Sequence, residues 1–233
     1  MKAYIRNSCH EVDQEELLIK RNVFSIGSDV YFFDSIDEET FAILIREMNA
    51  AKDYLIKSQA PTILESGALS ETITLHINCP GGNVIESLAI YDFIQNFPLP
   101  VVGIVEGSAA SGGSIILCAC SYRLMTEHSM ILCHELSSGA IGKYSSLVDS
   151  HKTNEIFMRQ IKNIYKKDTK IPEKELDDIL RHDIYWDADE SLKYGLVNSI
   201  IGRETDDEEI KLETKKKSTA NKTKKSSKKE TSN

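Results

Sequence analysis

Two glycine-rich turns and one histidine are the residues of this sequence best placed to do chemistry. The first turn is Gly107-Ser108-Ala109-Ala110-Ser111-Gly112-Gly113-Ser114. The apolar, β-rich run Val101–Val105 precedes it, and the apolar, helix-compatible run Ile115–Cys120 follows. A strand that feeds a helix through small residues turns sharply and leaves free N–H groups at the helix start. Ser111 then carries its hydroxyl beside a place suited to developing negative charge. The same small residues also suit close packing, and the octapeptide alone does not choose between the two. The second turn, Cys79-Pro80-Gly81-Gly82, ends the strand-like run Thr72–Asn78. Turns at the carboxyl ends of parallel strands are where α/β sheets build their sites. Neither turn has the G-x-G-x-x-G or G-x-x-x-x-G-K-[ST] spacing that cradles phosphate, so nucleotide binding is not expected. Two adjacent turns can instead converge their N–H groups on one oxygen, as an oxyanion hole requires. His134 stands at the end of the short apolar run Met130–Cys133.

The elements that position these residues follow from periodicity. Val23–Ile26 and Val30–Phe33 read as short strands around Gly27-Ser28-Asp29. Ser35 with Glu38 reads as a capping box, and Phe41, Leu44, Ile45, Met48 and Ala51 recur at helical spacing, predicting a helix through Ile56. Residues 57–71, with Pro61 and Gly67, read as a loop. Thr72–Asn78 alternates as a strand, and Val84, Ile85, Leu88, Tyr91 and Ile94 form the stripe of the next helix, which Pro98 and Pro100 end. With Val101–Val105 and a helix near 112–120, the order is strand, helix, strand, helix, the pattern of right-handed βαβ crossovers. Tyr122–Met125 and Met130–Cys133 are further strands, and Ser137–Gly142 is a flexible loop. A helix from about 144 to 167 carries Phe157, Ile161 and Ile164 on one face; Pro172 opens another, through Leu180. Asp187 and Glu190 cap a last helix, Gly195 ends it, and Leu196–Ile200 returns as a strand. This divides the chain into a flexible segment 1–21, one domain over 22–202 and a charged, Lys-rich disordered tail over 203–233.

Composition excludes several classes. Hydrophobic content of 41% and charged content of 27% are ordinary for a globular protein. Residues 1–18 have no apolar core and do not read as a secretion signal, and no apolar run reaches the roughly 20 residues that span a bilayer. The five cysteines lack zinc-ligand spacing, and Cys118-Ala119-Cys120 falls one residue short of C-x-x-C, so they read as reduced core thiols in a cytoplasmic protein. Residues 211–233 hold nine lysines against Glu213 and Glu230, so the tail carries +7 and the rest, by difference from −8, carries −15. That tail has no aromatic residues to stack on bases, and neither nucleic acid nor a membrane is expected as a partner.

Ile77-Asn78-Cys79-Pro80-Gly81-Gly82, Gly107–Gly112, Met130–His134 and Tyr194-Gly195-Leu196-Val197 occur in the order, and near the spacing, of the Clp protease proteolytic subunit. The chain resembles that family over roughly 22–201. The resemblance implies an α/β, ClpP/crotonase-like fold of repeated ββα units with a parallel sheet. It implies a serine endopeptidase that cleaves unfolded polypeptide without metal or cofactor. Its homo-oligomeric chamber would be two heptameric rings stacked as a tetradecamer, fed by an AAA+ Clp-type ATPase. Carried across position by position, it makes Ser111 the nucleophile, His134 the general base and the N–H groups of Gly82 and Gly112 the oxyanion hole. The third triad member lies eleven residues before the Tyr of Tyr-Gly-Leu-Val, which is Asp183; Asp178 and Asp187 are its neighbours in sequence. These are the groups the chemistry asks for: a base to take the serine proton and a carboxylate to hold the imidazole.

The chain also departs from the family. Gly112-Gly113 stands where a methionine usually follows the serine, and His134-Glu135-Leu136 replaces His-Gln-Pro. Ala-Ala-Ser-Gly-Gly is similar to signal-peptide peptidases with a Ser–Lys dyad, for which Lys143 or Lys152 would have to serve. A phage head-maturation protease shares the fold and triad. An acyl-CoA-handling or inactive crotonase-fold protein is a further alternative; the former would want paired glutamates, for which Glu106 and Glu135 are available.

Overall fold

In the computed structural model, which describes residues 22–59 and 72–203, the first two apolar runs form an antiparallel hairpin. Its strands are β1 (Val23–Ile26) and β2 (Asp29–Phe32). There follow α1 (Glu38–Gln59), β3 (Ile73–Cys79), α2 (Val84–Gln95), β4 (Val101–Ala110), α3 (Gly112–Ala119), β5 (Tyr122–Met125) and β6 (Met130–Leu132). The last elements are α4 (Tyr144–Asp168), α5 (Glu173–Leu180), α6 (Ala188–Lys193) and β7 (Ser199–Ile200). The strands form one sheet in the order β1-β2-β3-β4-β5-β7, with β6 paired to β4, and every pairing after the hairpin is parallel. This is the expected α/β architecture with a mostly parallel sheet. Ile73, Leu75 and Ile77 of β3 and Val101 and Val105 of β4 are buried at its centre. Helix α3 is buried along its whole length, which is why its sequence is apolar on every face.

Two differences from the expected elements shape the site. Strand β4 does not stop at Val105 but continues to Ala110, because it changes neighbours. Val102–Val105 pair with β5, whereas Ser108, Ala109 and Ala110 pair with Met130, Ile131 and Leu132 of β6. The buried Ser129 hydroxyl bridges the changeover, donating to the Val105 carbonyl at 2.9 Å and accepting the Gly107 N–H at 3.0 Å. The turn into α3 is therefore Ser111 alone.

The capping box of α1 is not Ser35 with Glu38 but Asp37 with Thr40. The Thr40 N–H donates to Asp37 Oδ1 at 2.8 Å, and the Asp37 N–H donates to Thr40 Oγ1 at 2.9 Å. Ile36 is held extended by a bridge to Gly82, so the helix starts only beyond it. The predicted last strand shortens to Ser199–Ile200, because the Leu196 and Val197 N–H groups fold back onto the Ser191 carbonyl. Helix α1 runs three residues past Ile56, to Gln59; the remainder of the predicted loop, Cys9, the segment 1–21 and the Lys-rich tail lie outside the described residues.

Cys79, Cys118, Cys120 and Cys133 are buried free thiols. Burial pushes Cys79 and Cys120 up to about 12, Cys133 up to about 11, and Cys118 well above the ordinary thiol value. Among the described residues no helix is long and apolar enough to cross a membrane.

Candidate active site

Ser111 is the one non-glycine residue with positive φ among the described residues, at φ 54° and ψ −120°. An L-residue held there stores backbone strain and must be fixed from both sides. Its N–H donates to the Leu132 carbonyl at 2.8 Å, so the β4–β6 ladder runs up to the turn itself. The glycine turn after β3 lies directly against it. A Cβ added to Gly81 would stand 2.6 Å from Ser111 Cβ and 3.1 Å from Gly112 N, so only glycine lets the turns touch. Gly82 is as tightly placed, since a Cβ there would fall 2.1 Å from the Ile36 carbonyl oxygen. The Ile36 N–H donates to the Gly81 carbonyl at 2.8 Å. Because a trans peptide points its N–H opposite to its C=O, this contact turns the Gly82 N–H away from Ile36. Among the described residues the N–H groups of Gly82 and Gly112 have no acceptor.

His134 follows β6 and Asp183 lies between α5 and α6. Backbone bonds bring them together. The Ile131 and Trp186 backbones exchange hydrogen bonds of 3.0 and 2.8 Å, and the Glu135 N–H donates to the Leu180 carbonyl at 2.6 Å. The segment between is thereby held along the end of β6, and His134 Nδ1 lies 2.7 Å from Asp183 Oδ1. Of the carboxylates near in sequence, Asp178 lies on α5, and Asp187 caps α6 by accepting the Glu190 N–H at 3.0 Å. The Asp183 side chain is 79% exposed and that of His134 22%. An imidazole whose Nδ1–H is committed to a carboxylate leaves the Nε2 lone pair free.

Ser111, His134, Gly82 and Gly112 line one cavity of about 340 Å³. Val84, Ile115, Leu136, Phe157 and Ile161 make its apolar walls. The Ser111 hydroxyl forms no hydrogen bond among the described residues. Neither Lys143 nor Lys152 lines the cavity, so the structure does not assemble the Ser–Lys pair. Glu135 lines it but Glu106 does not; the Glu106 carboxylate lies 3.2 Å from His76 Nδ1, so no glutamate pair forms at the cavity. Sequence reasoning misses Ile36, which acts through its backbone and carries no side-chain signal. It also misses Tyr165, whose only signal is its place beside Ile164 on the helix.

The family model of the Clp protease matches residues 30–204. The ATP-dependent Clp protease proteolytic subunit of Deinococcus radiodurans is 34% identical over 141 residues, 60% of this chain and 69% of that protein. The ATP-dependent Clp protease proteolytic subunit 3 of Rhodococcus jostii is 34% identical over 131 residues, 55% of this chain and 65% of that protein, so the chain spans just under two thirds of it. A match over most of the chain, on a mostly parallel α/β sheet, establishes that this chain belongs to the Clp protease family, a family of peptidases.

Proposed function

We propose that this chain is a serine endopeptidase with Ser111 as nucleophile, His134 as general base and Asp183 as the carboxylate that orients it. The observation that carries the reading is the strained Ser111 opening into one cavity with His134, whose far nitrogen meets Asp183. His134 Nε2 takes the hydroxyl proton as Ser111 Oγ bonds to the scissile carbonyl carbon. The oxygen that gains charge is received by the Gly82 and Gly112 N–H groups, which hold no other acceptor among the described residues. His134 then passes its proton to the leaving amine as the C–N bond breaks. A water, losing a proton to the same nitrogen, releases the acyl group and returns the serine. The apolar walls give the substrate side chain a dry seat beside the nucleophile.

The substrate is unfolded polypeptide, and the working form is an oligomeric chamber of stacked seven-membered rings served by a separate AAA+ ATPase. Family membership supports this, as do the names of the relatives, which are ATP-dependent proteolytic subunits. Ile141, Tyr144 and Leu147, before and in the first turn of α4, are exposed apolar side chains of the kind a subunit contact covers. A fluorophosphonate probe tests the chemistry. It labels the native protein and fails on Ser111→Ala, while Lys143→Ala and Lys152→Ala label normally. Labelling that survives Ser111→Ala refutes the assignment.

A further inference from the structure

We propose that Ser114 and Tyr165 are positioning residues, a buried hydrogen-bond relay that holds the Ser111 carbonyl inward and so aims the Gly112 N–H into the cavity. The inference rests on reading Gly112 as an oxyanion donor.

The Ser111 carbonyl and the Gly112 N–H belong to one peptide unit. That unit is planar and trans, so fixing the direction of one fixes the other. The carbonyl accepts twice from Ser114, from its N–H at 3.0 Å and from its hydroxyl at 2.6 Å. The Ser114 oxygen in turn lies 2.7 Å from the Tyr165 hydroxyl. A carbonyl only accepts, so the Ser114 proton points at Ser111, and Tyr165 must therefore donate to Ser114. The order of donation is thus Tyr165, Ser114, Ser111. Ser114 and Tyr165 are both buried, so bulk solvent does not compete for either hydroxyl. Burial holds the Tyr165 phenol well above its ordinary value, so it keeps the proton the relay needs. Cys133, next to His134, touches the same phenol and is also kept protonated. Consecutive donations polarise one another, which strengthens the last bond and makes the Gly112 N–H a better donor.

The other oxyanion peptide has a backbone lock: the Gly81 carbonyl is held by the Ile36 N–H. The Ser111 peptide is held instead by two linked side-chain hydroxyls, so there a conservative substitution outside the turn reaches the aim of the donor. Tyr165 comes from α4, far along the chain, and ties the orientation of that donor to the packing of the long helix.

The test uses the full chain in its native assembly, a fluorogenic peptide substrate and a peptide boronate as a tetrahedral mimic. Tyr165→Phe keeps the ring and removes only the donor; Ser114→Ala removes the link. The relay predicts that kcat falls about tenfold in Ser114→Ala and about three- to tenfold in Tyr165→Phe, with KM within about twofold. Boronate affinity falls by the same factor as kcat, since both report the oxyanion. The double variant is no worse than Ser114→Ala, because Tyr165 acts only through Ser114. The relay alone is overturned if the native protein is labelled at Ser111 by the fluorophosphonate while both variants keep kcat within about twofold. It is also overturned if KM rises with kcat unchanged. A native protein that is assembled yet not labelled refutes the peptidase reading first, and the relay with it.

Discussion

Removing the Asp183 carboxylate measures how much of the work its bond to His134 does. The bond is short, 2.7 Å, but the carboxylate is 79% exposed and the imidazole 22%. Water competes for every lone pair of such a carboxylate, and pairs this open are worth about 0.2–1 kcal/mol. At about 1.4 kcal/mol per factor of ten, losing the pair lowers the rate by at most about fivefold. A carboxylate sealed away from water behaves differently: its replacement by an amide costs about 10⁴ in kcat, because the wrong tautomer is locked in. For this chain we therefore expect Asp183→Ala and Asp183→Asn to lose about two- to fivefold in kcat with KM unchanged. The two losses should be similar, since an exposed amide turns away and leaves Nδ1 to water. Steady-state hydrolysis of a short fluorogenic peptide reads this directly, and raising the salt should slow the native enzyme more than Asp183→Ala. A loss of about 10³-fold or more would refute the reasoning, because a bond open to water cannot supply that much. Activity unchanged in both variants would remove Asp183 from the mechanism.

Two further perturbations probe the scaffold. Gly82→Ala forces a Cβ to 2.1 Å from the Ile36 oxygen at φ 155°, so the Ile36–Gly82 bridge must open. We expect about 2 kcal/mol or more of lost stability by thermal melting, and about 10²–10³ lost in kcat as the donor moves; a fully active variant would contradict the oxyanion assignment. The buried thiols predict an alkaline limb of instability. Their folded values are raised above the ordinary 9.0, to about 12 for Cys79 and Cys120 and about 11 for Cys133, so the folded state binds their protons more tightly. That contribution is fully present below pH 9 and is lost as pH rises from 9 through the folded values. The melting temperature should fall from pH 9 upward, and Cys79→Ser/Cys120→Ser should flatten the fall; a melting temperature independent of pH between 8 and 10.5 would contradict it.

The parts of the site legible in sequence are those carried by strand ends. Periodicity places β3, β4 and α3, and the glycines mark the turns, so Ser111, Gly82 and His134 stand out as strand-end residues from their spacing alone. Asp183 is legible only through the resemblance, because its approach to His134 depends on backbone bonds of Ile131 with Trp186 and of Glu135 with Leu180. Backbone bonds leave no side-chain signature. The start of α1 fails for the same reason: Ser35 and Glu38 have the right types, but a contact with Gly82, far along the chain, holds Ile36 extended. Tyr165 stands on the helix between Ile164 and two lysines, and nothing in its spacing says that its hydroxyl reaches Ser114.

The length of β4 decides which residue after β6 shares the cavity with Ser111. A strand that ended at Val105, as its apolar run implies, would pair with β5 alone and leave β6 without a neighbour in this sheet. By continuing through small residues to Ala110, β4 pairs Ala110 with Leu132, and the Ser111 N–H reaches the Leu132 carbonyl. Successive residues of a strand face opposite sides, so this register, and not the sequence separation, sets which residue after β6 looks into the cavity. A slip of one residue would exchange the faces and offer Cys133 or Glu135 in place of His134. The thiol is held protonated by burial, and the glutamate has no Asp183 to orient it. Ser129, bonded to both Val105 and Gly107, fixes the changeover at one place and so prevents the slip. The proposed pairing of Ser111 with His134 is in this sense a consequence of Ser129, a residue outside the cavity lining.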